Sequence, residues 1–87
     1  MKRNLQNWRI EKMTITEKQH TNKHYYISMD MINDYKTDGE IFWYYRVDCG
    51  PRLSDGTIGY PIRSMVYSLD ERKNALATFN RYKRTYQ

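Results

Sequence analysis

The chain has 87 residues with 15 Lys and Arg against 10 Asp and Glu, a formal charge of +5 and 15% aromatic residues. A chain of this length forms one domain, here residues 1–87, which buries only about 60–65% of its unfolded surface. Its one cysteine, Cys49, excludes an internal disulfide framework and fits a reducing compartment such as the cytoplasm. No apolar run approaches the roughly 18 residues of a membrane span, and no apolar segment follows Met1-Lys2-Arg3 as a secretory signal requires.

Residues 1–7 are polar and basic and are expected to be loose. Trp8 to Thr16 predicts a first strand, with a change of apolar parity between Ile10 and Met13 that suggests a bulge at Glu11-Lys12. Glu17 to Lys23 is polar throughout and reads as a loop. In His24 to Ile32, the residues Tyr25, Ile27, Met29 and Met31 alternate with Tyr26, Ser28 and Asp30. This predicts a strand with one core face and one solvated face. Asn33 to Gly39 ends in Asp-Gly, a hairpin signal. Glu40 to Asp48 is a third strand, with Ile41, Trp43, Tyr45 and Val47 facing the core and Phe42, Tyr44, Arg46 and Asp48 on the other side.

Cys49 to Gly56 contains two glycines and a proline and predicts a loop. Thr57 to Tyr67 predicts a fourth strand, at an edge or broken at Pro61, because proline lacks the ladder N–H. Arg63 to Tyr67 is then a separate short piece. Ser68 and Glu71 have capping-box spacing. From Leu69 to about Thr85, Ala75, Leu76, Phe79, Tyr82 and Tyr86 form one apolar helical stripe. The predicted fold is α+β: a four-stranded antiparallel sheet with one C-terminal helix packed on a face, in the order ββββα.

Asn22-Lys23-His24-Tyr25-Tyr26, the aromatic strand ending in Tyr44-Tyr45-Arg46-Val47, a glycine loop, and Ala75, Phe79, Tyr82 and Lys83 on the helix together resemble a WGR domain. Tyr45 stands where that family carries the glycine of its Trp-Gly-Arg triplet. The resemblance spans roughly Thr21 to Thr85. It implies a small sheet with a helix against it and a link to nucleic-acid binding.

Independently of that resemblance, the basic balance favours a polyanionic or acidic partner. The candidate binding residues are Phe42, Trp43, Tyr44, Arg46, Arg52, Arg63, Arg81, Lys83 and Arg84. Guanidinium and ammonium groups neutralise phosphates, and exposed rings stack on bases. The same helix cations also suit the negative end of the helix dipole, so they serve structure whether or not they bind.

His20, His24 and Cys49 are too few for a structural metal site. Cys49 has no recognisable base, and Asp48 beside it disfavours a thiolate. The turn aspartates bond nearby amides, and no set of residues meets the roles of an active site. The expectation is a non-enzymatic module without cofactor or metal that binds nucleic acid or a ribonucleoprotein. The alternative is a small phage or mobile-element inhibitor of a defence system, acting sterically by occupying a nucleic-acid channel or an acidic protein surface. An edge strand also offers a route to a homodimer.

Overall fold

The computed structural model describes residues 13–87. The chain runs β1 (Thr14–Thr21), β2 (Tyr25–Tyr35), β3 (Ile41–Pro51), β4 (Arg63–Ser68), a 3-10 turn (Leu69–Glu71) and helix α1 (Arg72–Thr85). The four strands form one antiparallel sheet in the order β1-β2-β3-β4, and the helix packs on one face of it. The ββββα arrangement is the one the alternation and the helical stripe predict. No helix of the described residues is long and apolar enough to cross a membrane.

The central hairpin is longer than its sequence boundaries. β2 and β3 pair without a register shift from Tyr25↔Pro51 to Tyr35↔Ile41, so the expected loop from Cys49 begins only after Pro51. The turn between them closes where the Asp-Gly signal lies. Gly39 donates to the Lys36 carbonyl, Lys36 donates to the Glu40 carbonyl, and the Asp38 carboxylate accepts from the Glu40 amide. Gly39 has φ of 88°, a left-handed conformation that glycine adopts without steric cost.

The first strand is displaced from its expected position. Glu17 to Thr21 is strand and not loop, with Lys18 to Thr21 paired to Tyr26 to Met29. Long polar side chains are tolerated there because β1 is an edge strand. The register shifts between Thr16 and Lys18, a bulge that leaves Glu17 free to reach the helix. The expected looseness of residues 1–7, the Trp8–Lys12 part of the predicted strand and the expected bulge at Glu11-Lys12 lie outside the described residues.

Thr57 to Ile62 makes no continuous strand. An isolated Arg52↔Ile58 bridge holds this stretch, and regular pairing resumes at Arg63. Pro61 marks the break, as a residue without a donor should.

The core lies between the sheet and α1. Ile27, Met29, Tyr45, Val47 and Cys49 from the strands meet Ala75, Phe79 and Tyr82 from the helix. The Ser68–Glu71 capping box is present, with the Glu71 carboxylate accepting from the Ser68 amide at 3.0 Å. It starts the 3-10 turn that leads into α1.

The other face of β2 departs from the expected solvated surface: Tyr26, Asp30 and Ile32 are buried there. Part of the cause is the Arg52–Ile62 connection, which folds back over the sheet. The Tyr26 hydroxyl donates to the Gly59 carbonyl at 3.2 Å, and a Cβ on Gly50 would stand 2.7 Å from the Tyr26 ring and 2.9 Å from the Tyr60 carbonyl oxygen. Gly50 is therefore needed for close approach.

Candidate functional site

The sheet sorts the candidate residues by parity. Phe42, Tyr44 and Arg46 share the face opposite the helix, with the Phe42 and Tyr44 rings 5.9 Å apart. Phe42 is 36% exposed and Tyr44 half-buried. Arg46 is not a free cation, because its Nε donates to Asp48 Oδ2 at 2.9 Å. Its cross-strand neighbour is Asp30. Asp34 also belongs to this face, opposite Phe42. The rings and the guanidinium are thus beside each other as expected, but among carboxylates. Trp43 has the parity of Tyr45 and Val47 and falls on the helix side, half-buried.

Of the other five cations, Arg52, Arg63 and Arg81 are linked through Asn22, Tyr86 and Tyr82, while Lys83 and Arg84 line one concavity at the C-terminal end of α1. Arg63 Nε donates to the Tyr86 hydroxyl at 2.6 Å. Tyr86 packs against Tyr25 and Tyr82, with ring centroids 5.1 and 6.3 Å away. The Arg81 guanidinium lies 5.6 Å from the centre of the Tyr82 ring, and the Lys83 ammonium lies 5.8 Å from that of Phe79. Asn22 joins Arg52 to the same end: its carbonyl accepts from Arg52 Nη1 at 3.0 Å, and its Nδ2 donates to the Tyr86 carbonyl at 2.8 Å. Such links hold long side chains in place at low entropic cost, since the rings and the turn are already ordered by packing.

The electrostatics of this end follow from the sequence of the helix. From Arg72 to Gln87 there are five cations, Arg72, Lys73, Arg81, Lys83 and Arg84, and no Asp or Glu. Arg72 is neutralised by Glu17, Nη2 to Oε1 at 2.9 Å. Among the described residues, Arg52, Arg63, Arg81, Lys83 and Arg84 form no ion pair.

Two shallow concavities of ≈ 450 and ≈ 440 Å³ flank the β1–β2 turn. One is lined by Lys23, His24, Arg52 and Ser54, the other by His20, Asn80, Lys83 and Arg84. Each carries one imidazole and two cations, and neither has an Asp or Glu in its lining. His24 lies three residues before Ile27, the partner of His20. At about 3.3 Å per residue the two backbone positions are offset by about 10 Å along the strands.

Lys18, His20, Lys23, His24, Asn22 and Tyr86 belong to this surface but were not candidates from the sequence. Lys18 stands 5.7 Å from the Phe79 ring, on the same ring as Lys83. The signal for Asn22 was present: asparagine in a polar turn bonds the following amides, and Asn22 Oδ1 accepts from the His24 and Tyr25 amides at 2.9 and 2.8 Å. Lys18 and His20 had no signal, because their segment read as loop.

Two further groups bear on chemistry. Burial raises the Cys49 thiol above its ordinary pKa, with Arg63 opposing, so the thiol stays protonated and unreactive in the core. Burial, then the charge of Asp48, raises Tyr26, which keeps its hydroxyl a donor. Among the described residues no group of three or more His, Cys, Asp or Glu is placed to hold a metal ion.

Comparison with protein-family models, with curated proteins and with solved structures finds no match for this chain.

Proposed function

We propose that the chain is a non-enzymatic binding module for nucleic acid or a nucleoprotein complex. It meets phosphates with Arg52, Arg63, Arg81, Lys83 and Arg84 around the end of α1. The supporting observation is the gathering of these cations, which form no ion pair among the described residues, with Lys18 and Lys23 near the β1–β2 turn and the end of α1. Arginine forks and lysine ammonium groups suit phosphate oxygens, and two separated concavities favour a polymer over a single phosphate. The resemblance to WGR domains points the same way. Phe42, Tyr44 and Arg46 sit on the opposite face, so in this reading they do not serve the phosphate surface.

The test is fluorescence anisotropy with labelled single- and double-stranded oligonucleotides at 50 to 200 mM salt. With four or five phosphate contacts the log–log slope is about −3 to −4.5, a loss of about 60- to 500-fold over that range. A flat response refutes the reading.

A second reading is a small phage or mobile-element inhibitor that binds a protein sterically. It is supported by the exposed apolar side chains of Ile58, Tyr60, Ile62 and Val66 along and before edge strand β4. Pairing of that edge with another chain is the matching mode, as a homodimer or a hetero-complex. Pull-down of one stoichiometric protein that survives nuclease treatment selects this reading, and loss of all partners on nuclease treatment selects the first.

A further inference from the structure

The sheet face opposite α1 differs in chemistry from the end of the helix. We infer that the groove between this face and the Arg52–Ile62 connection docks a positively charged side chain, lysine or arginine, presented by a partner protein.

The floor of the groove is polar and the balance of its charges is negative. Both oxygens of Asp48 have a donor: Oδ2 accepts from Arg46 Nε at 2.9 Å and Oδ1 from the Ser64 hydroxyl at 2.6 Å. Asp30 differs. Its Oδ2 accepts from the Ser28 hydroxyl at 2.9 Å, while Oδ1 is buried and has no hydrogen-bond partner among the described residues. Asp30 is only 5% exposed, and a buried carboxylate oxygen without a donor is costly to keep. The two oxygens exchange by a half-turn of the carboxylate, and Ser28 has one proton to give. An entering N–H donor therefore meets unused acceptor capacity whichever oxygen it reaches. Asp30 and Asp48 against Arg46 leave one negative charge for a ligand to balance.

The walls fit the stem of such a side chain. The groove, ≈ 820 Å³, is lined by Leu53, Ile58, Tyr60 and Pro61 above the polar floor. Long cationic side chains lay their methylenes on apolar surface and extend their charged heads to a polar group, and an aromatic ring beside the path adds cation–π attraction. Tyr60 is 92% exposed, a large ring open to a ligand. The wall is anchored, because Gly59 donates to the Pro51 carbonyl and Ile62 to the Cys49 carbonyl, both within 2.9 Å. With two carboxylates and no third metal-binding group, the floor suits N–H donors better than a metal ion. A side chain on a protein fits better than a free amine, because the apolar strip of Ile58, Ile62 and Val66 beside the groove gives a polypeptide further surface to cover.

This site is independent of the phosphate surface and survives its failure. The test is titration of the 15N-labelled full chain with acetyl-Gly-Arg-Gly-amide and its lysine counterpart. Acetyl-Gly-citrulline-Gly-amide is the neutral control and agmatine the free-amine arm. Saturable shifts at the Tyr26, Ser28, Asp30 and Tyr60 amides are expected, at least tenfold weaker for citrulline and weaker for agmatine. Asp30→Asn should weaken the arginine peptide at least tenfold without lowering the thermal midpoint. Tyr60→Ala, at an exposed position, should weaken it several-fold and carries the test if Asp30→Asn fails to fold. Equal binding of citrulline, undiminished binding by either variant, agmatine binding as tightly as the peptides, or no saturable shift in the groove each overturns the proposal.

Discussion

Replacing Phe79 by alanine tests the joint on which the basic surface is built. Phe79 is 2% exposed, in contact with the core formed by Ile27, Met29, Tyr45, Val47 and Cys49. Truncating a buried phenylalanine costs about 3–5 kcal/mol through lost transfer energy and the cavity left behind. A domain of this length is stable by about 4–13 kcal/mol, so the variant stands near the edge of folding. With a urea m-value of about 1 kcal/mol/M, the midpoint should fall by about 3–5 M, or the chain should be unfolded in buffer. Urea titration followed by tyrosine and tryptophan fluorescence measures this. Phe79→Leu should cost clearly less and leave a folded protein, because most of the volume remains. In that folded variant Lys18 and Lys83 lose the ring they share, and oligonucleotide affinity should fall by more than the thermal midpoint suggests. A loss below about 1.5 kcal/mol for Phe79→Ala would refute the packing of α1 on the sheet described above.

Gly50→Ala should destabilise by about 1–3 kcal/mol, since the added methyl meets the Tyr26 ring and the Tyr60 carbonyl oxygen; an unchanged denaturation midpoint contradicts that close approach. Cys49 should resist iodoacetamide until the protein unfolds, and rapid labelling of the native state contradicts its burial. Its folded pKa lies above the unfolded value because burial favours the neutral thiol. The resulting stability is present below the unfolded thiol pKa of about 8.5 and is lost as pH rises through the folded value. Cys49→Ala should therefore flatten the alkaline part of a stability–pH curve. Tyr86→Phe removes the acceptor of Arg63 Nε and should weaken oligonucleotide binding while leaving the thermal midpoint nearly unchanged; unaltered affinity means that holding Arg63 in place does not matter.

The architecture was legible because its signals are local and redundant. Alternation in Tyr25 to Met31, Asp38-Gly39, Pro61 and the Ser68–Glu71 box each mark one element or boundary, and they agree. β1 was misplaced because an edge strand can be built from Glu17, Lys18, Gln19 and His20, whose polarity mimics a loop. The face of Tyr26 and Asp30 was misjudged because its burial comes partly from residues 52–62 folding back, a contact between segments far apart in sequence. The candidate surface was half legible. A run of cations without acids is visible in the helix, but its association with Arg52 and Arg63 depends on Asn22 and Tyr86, which meet only in the folded chain. Arg46 seemed equivalent to those arginines, and only the Ser28, Asp30 and Asp48 neighbours on its face distinguish it.

The measurement closest to the central claim is the salt slope of oligonucleotide binding in two variants. Arg81→Gln/Lys83→Gln/Arg84→Gln should lose affinity and reduce the slope by about 2–3, close to one for each phosphate contact removed. Arg46→Gln, on the opposite face and bound to Asp48, should leave the slope unchanged. An unchanged slope in the triple variant, or an equal fall in both, contradicts the placement of anion binding at the end of the helix.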